Sequence, residues 1–334
     1  MNYLDALENT SDQLFEYIRV PPARDVPGLE EDARRGLLSQ PRSLPPKYFY
    51  DDCGTELFEK ICKTSEYYPT RTEDFLLKRH AKDIIETAKP NNIFELGSGS
   101  STKTQRLLDA CSEIAHFPSY TAFDISERAL MFGGIELSKR YDWLQISLLL
   151  GDYEAGFMNV PRENGSRLVL FLGSTIGNFE QKHAIQFMKD LRHNMSQTDR
   201  LLVGFDRVKD RHILDAAYND SQGITAAFNL NVLNVLNSEL GANFEPKNFS
   251  HLAQYDADKA QIEMHLVSSC AQRVMLNNLR EFIDMDAGER IQTEISRKFT
   301  DQSLTRLLSD SGFVVKKDFV SPDEYFSLVL AKPI

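Results

Sequence analysis

Several features of secreted, membrane and metal-binding proteins are scarce in this 334-residue chain. It has only four cysteines, widely spaced and without a Cys-x-x-Cys pair, so neither a disulfide framework nor a cysteine zinc site is predicted. Its seven histidines show no His-Glu-x-x-His motif and no clustered ligand spacing, so no metal site is predicted either. Such cysteine usage favours a reducing, cytoplasmic location.

Basic charge and long apolar runs are also scarce. Lys and Arg number 38 against 49 Asp and Glu, and the net charge of −11 argues against binding to nucleic acid or to an anionic membrane surface. No run approaches the ~20 apolar residues of a membrane span, and the first residues do not resemble a signal peptide. The 42% hydrophobic and 26% charged content is globular, and the length suggests about two domains.

Short apolar strands alternate with helices in the middle of the chain, which is typical of a parallel, doubly wound α/β sheet. After residue 206 the alternation gives way to helical and then extended segments, and two strands close the chain. This order predicts one doubly wound domain with a smaller insertion before its last two strands. The predicted strands are 92–96, 120–124, 146–150, 167–172, 200–206, 313–319 and 325–330, with extended segments at 251–267 and 289–299.

Other local signals concern helices. Residues 12–19 and 30–38 read as polar helices that end at prolines. Thr72 is predicted to cap the next helix, with Glu73 as an acid in its first turn, and Ser126 is predicted to cap the helix after the second sheet strand.

A small-residue turn follows the first sheet strand at Gly97-Ser98-Gly99. Such a turn lets the backbone approach a ligand at a helix N-terminus, although glycines in turns are equally often purely conformational. Asp124 and Asp152 end the next two strands. An acid at the first position can accept from ribose hydroxyls and one at the second from an adenine amino group, so the three features together predict an adenosine-type cofactor.

The sequence narrows the choice of cofactor. The G-x-G-x-x-G fingerprint fails because Thr102 stands at its third glycine, and Lys103-Thr104 lacks the preceding glycine of a phosphate-binding loop. Adenosine without a diphosphate points to S-adenosyl-L-methionine (SAM).

The run Glu-Leu-Gly-Ser-Gly-Ser-Ser-Thr-Lys-Thr at residues 95–104 resembles the cofactor motif of class I SAM-dependent methyltransferases. More narrowly, the chain resembles the L-histidine Nα-methyltransferases of ergothioneine biosynthesis from about residue 45 to its end. The resemblance implies a class I, Rossmann-like fold with an inserted substrate-binding domain. Ser101 departs from the third glycine of many such enzymes, which is tolerated if its backbone angles are ordinary. The runs that carry the resemblance are 46–51, 54–58, 66–71, 95–104, 171–178 and 293–296.

We therefore divide the chain into four parts. Residues 1–60 form an N-terminal segment that contributes to the substrate site, and 61–206 form the SAM-binding domain. Residues 207–300 form the inserted substrate-binding domain, and 301–334 return to the sheet. The resemblance implies that the cofactor contacts are Gly97, Lys103, Asp124, Asp152 and Tyr153.

The resemblance also implies a substrate site. Asn178 and Tyr218 would hold the α-carboxylate of histidine, and Glu294 and Ser296 would read its imidazole. An ionised carboxylate can accept from a ring N–H while the hydroxyl serves the other nitrogen, although both could equally be an exposed strand pair at i and i+2. Tyr50, near the amine, and Asn178 are assigned the catalytic roles. The remaining substrate-binding positions are Tyr67, Phe58, Gly173, Thr175 and Met264.

The expected reaction is three successive in-line methyl transfers from SAM to the α-amino group of L-histidine, giving hercynine and S-adenosyl-L-homocysteine. No strong general base is expected, with Tyr50 and water relaying the proton. A methyltransferase of the same family acting on another aromatic amino acid is the alternative, and a silent SAM-binding scaffold and a nucleic-acid methyltransferase are less favoured. We expect a monomer that binds small molecules.

Overall fold

The computed structural model describes residues 15–334, and the secondary structure within that range matches most of the predicted elements. The strands are β1 (Glu16–Arg19), β2 (Arg42–Ser43), β3 (Asn92–Leu96), β4 (Ser119–Asp124), β5 (Ile146–Leu150), β6 (Arg167–Phe171), β7 (Arg200–Asp206), β8 (Phe249–Asp256), β9 (Gln261–Ser268), β10 (Gln272–Leu276), β11 (Glu281–Met285), β12 (Arg290–Arg297), β13 (Phe313–Val320) and β14 (Phe326–Pro333). The helices are α1 (Leu29–Leu37), α2 (Asp52–Ile61), α3 (Tyr68–Ala88), α4 (Gln105–Glu113), α5 (Glu127–Arg140), α6 (Gln181–His193), α7 (Arg211–Ala217), α8 (Ile224–Leu240) and α9 (Asp301–Asp310).

The larger sheet has eight strands in the order β1-β5-β4-β3-β6-β7-β14-β13. The first six are parallel, while β14 is antiparallel to both β7 and β13. The central strands β3 and β6 are buried along their whole length, as strands covered on both faces must be. The predicted doubly wound α/β sheet is confirmed, with a closing hairpin that makes it mixed.

The register of this sheet brings several predicted site residues to one edge. Leu96 is paired with Phe123, and Asp124 with Leu150, so the carboxyl ends of β3, β4 and β5 lie side by side. Open α/β sheets bind their ligands at the carboxyl ends of the strands. The turns that follow these strands therefore open on one space.

A second layer is built by the insertion between β7 and the last two strands. Its sheet has the order β2-β12-β9-β8, and α7 and α8 share a hydrophobic core with it. The N-terminal segment also joins this layer, because β2 is parallel to β12 and the ring of Phe49 stacks on that of Phe228 with 4.5 Å between centroids. The β10–β11 hairpin within the insertion was not predicted.

Two local predictions are wrong. Residues 16–19 form an edge strand instead of a helix, and residues 12–14 lie outside the described range. Helix α3 begins at Tyr68, with Pro69 in its first turn, so Thr72 lies inside the helix and donates to the Tyr68 carbonyl at 3.1 Å. The Ser126 cap is confirmed, since its hydroxyl accepts from the Ala129 N–H at 3.3 Å.

No helix within residues 15–334 is both long enough and apolar enough to span a bilayer.

Candidate active site

The Gly-Ser turn after β3 has the backbone of a ligand-binding turn. Gly97 (φ +65°) and Gly99 (φ +50°) both lie in the left-handed region that favours glycine. A Cβ atom built on Gly97 would lie 3.6 Å from the ring of Tyr153, so the turn and this ring border the same space. The Ser98 hydroxyl is buried there and has no hydrogen-bond partner among the residues the structure describes.

Two carboxylates stand beside the turn. One oxygen of Asp124 accepts from the Gly99 N–H and the other from the Ser126 N–H, both at 2.8 Å. Burial raises the pKa of Asp124. Asp152 accepts from the Glu154 N–H at 2.7 Å. Since a carboxylate offers about four acceptor positions, both retain capacity for a ligand's hydroxyl or amino groups.

Ser101 corrects one expectation. Its φ of +55° lies in the left-handed region. The expectation that Ser101 has ordinary backbone angles is therefore wrong. The Ser101 hydroxyl is hydrogen-bonded to the Tyr120 hydroxyl at 2.8 Å. This side-chain bond compensates for the backbone conformation that glycine would adopt more easily.

Lys103 is held by a residue that the sequence did not identify. Glu73, fully buried on α3, forms an ion pair with Lys103 and accepts from the Gly173 N–H at 2.8 and 2.9 Å. Burial lowers the pKa of Lys103, but the charge of Glu73 outweighs it and raises the pKa overall. Glu73 is thus a buried counterion that ties α3 to the turns after β3 and β6, and it is not the first-turn acid that was predicted, because α3 begins at Tyr68.

Four neighbouring aromatic rings form what we call the aromatic wall: Tyr50, Phe58, Tyr67 and Tyr218. Centroids are 5.8 Å apart for Tyr50 and Phe58, 6.3 Å for Phe58 and Tyr67, and 6.1 Å for Tyr67 and Tyr218. Burial, followed by the charge of Glu294, raises the pKa of Tyr50 strongly.

The carboxylate of Asp124 acts on Tyr50 in the same direction. The Tyr50 phenol is therefore within electrostatic reach of both carboxylates.

Strand β12 lies next to this aromatic wall. Glu294 is paired with the buried Met264 of β9, so their side chains share one face. Ser296 is on that face two residues on, and its hydroxyl accepts from Tyr218 at 2.8 Å. Burial raises the pKa of Glu294 to about 7. The alternative of an exposed strand pair is wrong, because Ser296 is 4% exposed.

Two adjacent tyrosines, Tyr67 and Tyr68, have different surroundings in the structure. Tyr68 is buried, and its hydroxyl donates to the carboxylate of Asp206 at 2.8 Å. Tyr67 instead points its ring toward Phe58 and Tyr218. Tyr68 is thus a structural residue, while substrate binding by Tyr67 stays a prediction.

Asn178 ends a 3-10 turn, Thr175–Asn178, that follows β6. The chain enters it through Gly173 (φ +76°) and Ser174 (φ +56°), and the Thr175 hydroxyl donates to the Leu172 carbonyl at 2.9 Å. A Cβ atom on Gly177 would lie 2.8 Å from the Arg297 carbonyl oxygen. The turn therefore packs directly on β12, which brings Asn178 to the strand that carries Ser296.

We expect Gly177→Ala to lower the free energy of unfolding by about 1–3 kcal/mol, because the methyl group must displace backbone. Gly28→Ala is the matched control, since its Cβ meets nothing within 4 Å, and should stay within about 0.5 kcal/mol of wild type. Urea unfolding measures both. An equal loss in the two variants would contradict this packing.

Comparison with known proteins decides the family. Residues 29–333 match the family described as histidine-specific methyltransferase, SAM-dependent. The chain belongs to this family. Its α/β architecture is that of a class I SAM-dependent methyltransferase, and SAM is its cofactor.

Three curated proteins are among the relatives of this chain. Histidine N-alpha-methyltransferase of Mycolicibacterium smegmatis is 40% identical over 318 residues, covering 95% of this chain and 98% of that protein. The enzyme of the same name from Mycobacterium tuberculosis is 40% identical over 284 residues, covering 85% and 88%. Ergothioneine biosynthesis protein 1 of Schizosaccharomyces pombe is 29% identical over 301 residues, covering 86% of this chain and 39% of that protein.

The residues present fit SAM. The Gly97 cradle, the buried Ser98 hydroxyl and the spare acceptors of Asp124 and Asp152 match an adenosine with a polar tail. Lys103 would meet the carboxylate of the methionine part. The structure places the predicted site residues at the strand-end turns, on the aromatic wall, or on the paired strands β9 and β12. Their individual roles stay predictions.

The raised pKa of Glu294 predicts a pH-dependent stability difference. Because the folded pKa of about 7 exceeds the ordinary 4.5, the carboxyl's stabilising contribution is complete below pH 4.5 and is lost as pH rises through 7. As pH rises from 4.5 to about 7, the unfolding free energy of wild type should therefore fall by about 3 kcal/mol relative to that of Glu294→Gln. Urea unfolding at pH 4.5, 6 and 8 measures it.

Glu263→Gln is the control for that experiment. The pKa of Glu263 is lowered, because hydrogen bonds from Lys259 and Gln261 outweigh its burial. This variant should therefore lose stability relative to wild type as pH rises. Parallel pH profiles for Glu294→Gln and wild type would contradict the prediction.

Proposed function

We propose that this methyltransferase transfers three methyl groups in succession from SAM to the α-amino group of L-histidine, giving hercynine for ergothioneine biosynthesis. The observation that carries the proposal is the pair Glu294 and Ser296 on one face of β12, beside the aromatic wall, with Ser296 buried and Glu294 partly buried. A carboxylate and a hydroxyl at this spacing can serve the two nitrogens of an imidazole. The names of the relatives support the same substrate.

On this proposal, the polar pair should make an apolar amino acid a poor substrate. A leucine or phenylalanine side chain would cover the Glu294 carboxylate without giving it a hydrogen bond. Leaving a buried charged acceptor unpaired costs several kcal/mol. Histidine avoids this cost because a ring N–H can be donated to the carboxylate.

SAM, when bound, supplies an activated methyl group on its sulfonium. The protein's part is to orient the amine and remove its proton, since a free amino group is mostly protonated at neutral pH. Asn178 offers both an amide donor and an acceptor, which suits the α-carboxylate and the amine.

Tyr50 can relay a proton but cannot act as a strong base. Burial and the charge of Glu294 raise the pKa of its phenol far above neutrality, so the hydroxyl keeps its hydrogen. A phenol in that state accepts a proton only as it passes its own to water. The relay therefore matches the expectation of no strong general base.

The remaining features are part of the proposal. The net charge of −11 supports a site for small molecules over one for nucleic acid or membrane. The four cysteines are free, which is compatible with a cytoplasmic location. We propose that the enzyme acts as a monomer.

Mass spectrometry after incubation with SAM and an equimolar mixture of the standard amino acids tests the function. We expect histidine alone to gain methyl groups and to end at the trimethylated form. Methylation of tryptophan or tyrosine would favour the alternative substrate class. Binding of SAM without any methylation would favour a silent scaffold.

A further inference from the structure

A chain of hydrogen bonds connects Tyr218 to the strand that carries Glu294. On β8, the Nε2 atom of the partly buried His251 lies 2.9 Å from the backbone carbonyl oxygen of Tyr218. The Nδ1 atom of the same ring lies 2.9 Å from the side-chain nitrogen of Asn229 on α8. The side-chain oxygen of Asn229 accepts from the Thr293 hydroxyl on β12 at 2.7 Å. Asn229 and Thr293 are both buried, so the chain passes through the protein interior.

The direction of these bonds follows from the groups that make them. The Asn229 amide nitrogen also donates to the backbone carbonyl of His265 at 3.0 Å, and a carbonyl can only accept. The second amide hydrogen of Asn229 is then available to His251, whose Nδ1 must be the acceptor. The Tyr218 carbonyl likewise only accepts, so Nε2 carries the hydrogen. The His251 ring is therefore neutral, in agreement with its pKa, which burial lowers. Both of its nitrogens are committed, and it has no free atom to offer a substrate.

The other end of the chain is a β-bulge. The pairing of β12 with β9 shifts register between Gln292 and Glu294, so Thr293 is the extra residue of the bulge. A bulge changes the direction in which the neighbouring side chain points. The Thr293 hydroxyl ties this bulge to Asn229. The chain therefore ends on the residue directly before Glu294.

We propose that His251 and Asn229 are positioning residues that fix the distance between the two ends of the substrate site, so that the site selects an amino acid of the length of histidine. The inference rests on the proposed function, in which Tyr218 holds the α-carboxylate and Glu294 accepts from the ring. His251 fixes the peptide group that follows Tyr218. Asn229 fixes both His251 and the bulge before Glu294, so neither end of the site moves without breaking a bond of the chain.

The preference for L-histidine over L-homohistidine, whose side chain is one methylene longer, tests this proposal. The ratio of their kcat/KM values is independent of the fraction of enzyme that is folded, because both substrates meet the same protein. A single methylene changes kcat/KM by about 10-fold or more in a fitted pocket, so wild type should prefer histidine by at least that factor. In His251→Ala the ratio should fall to less than about threefold, since Tyr218 loses one hydrogen bond and can follow the longer substrate.

A conservative variant and a matched control separate positioning from a general structural role. The amide of His251→Gln carries one donor and one acceptor, so this variant should keep a ratio closer to wild type than His251→Ala does. His265→Ala removes another histidine ring from the same sheet. Its Nδ1 atom has no hydrogen-bond partner within residues 15–334, and the ratio should stay at the wild-type value.

A second variant addresses the other end of the chain if His251→Ala does not fold. Thr293→Val keeps the shape of the side chain and removes the hydroxyl that holds Asn229. It should lower the ratio in the same direction.

An unchanged ratio in folded His251→Ala or Thr293→Val would overturn the proposal. An equal fall in His265→Ala would do so too, because it would mean that any loosening of this sheet relaxes the selection of length. Equal kcat/KM values for the two substrates in wild type would also overturn it. A wild-type protein that does not methylate histidine overturns the proposed function together with this inference, whereas histidine methylation with an unchanged ratio in the variants overturns this inference alone.

Discussion

Replacement of Glu294 by alanine is expected to lower kcat/KM for histidine by about 100-fold, while the dissociation constant of SAM stays within about twofold of wild type. A hydrogen bond to a buried charge contributes about 1.5–3 kcal/mol, and each 1.4 kcal/mol is tenfold. Glu294 lies on the insertion, paired with Met264, away from the turns that fit the cofactor.

The same substitution should relax the preference for histidine. Without the carboxylate, an apolar side chain no longer leaves a buried charge unpaired, so methylation of phenylalanine or tryptophan should become detectable. Initial rates with each amino acid, and SAM binding by calorimetry, measure the two effects. A parallel loss for all amino acids would show that Glu294 supports the fold and does not select the ring.

Glu263→Ala is the matched control for this variant. Glu263 is on the neighbouring strand β9 and is paired with Ile295, so it lies on the face of the sheet opposite Met264 and Glu294. Its carboxylate accepts from Lys259 and Gln261. Its removal deletes a carboxylate from the same layer. Histidine kinetics should therefore stay close to wild type.

The position of the cofactor site at the carboxyl ends of β3, β4 and β5 could be predicted from the sequence, because it follows from a simple rule. Gly97, Asp124 and Asp152 each come directly after a buried apolar run, and the carboxyl ends of parallel strands meet at one edge. The substrate side could not be derived in this way. The period-2 pattern places Glu294 and Ser296 on one face, but only the family resemblance indicated that this face is buried.

The residues that the sequence did not identify share a physical reason. Glu73, Asp206 and Lys298 are buried charges whose partners are distant in the chain, and neither periodicity nor spacing reports such pairs. Edge strand β1 was misread because its four residues lack an apolar alternation. In contrast, Val274, Leu276, Ile283 and Met285 of the missed hairpin do alternate and are buried, so that signal was available.

Glu73→Gln is expected to lower the free energy of unfolding by about 3 kcal/mol, because it leaves a largely buried lysine without its counterion. The amide keeps the size of the side chain but places a donor group near two other donors, the Lys103 ammonium and the Gly173 N–H. Asp74→Asn is the matched control on the next residue of α3. Its ion pair with Arg106 is more than one-third exposed on both sides, and its loss should cost less than about 1 kcal/mol.

Cofactor affinity distinguishes a general loss of stability from the specific role of Glu73. Because Glu73 joins Lys103 to the turn after β6, its loss should raise the dissociation constant of SAM about tenfold, the effect of losing roughly one charge-assisted hydrogen bond. Calorimetry at a temperature where both variants are fully folded measures this. Equal SAM affinity in Glu73→Gln and Asp74→Asn would mean that Lys103 keeps its place without the buried carboxylate, and that Glu73 serves the fold alone.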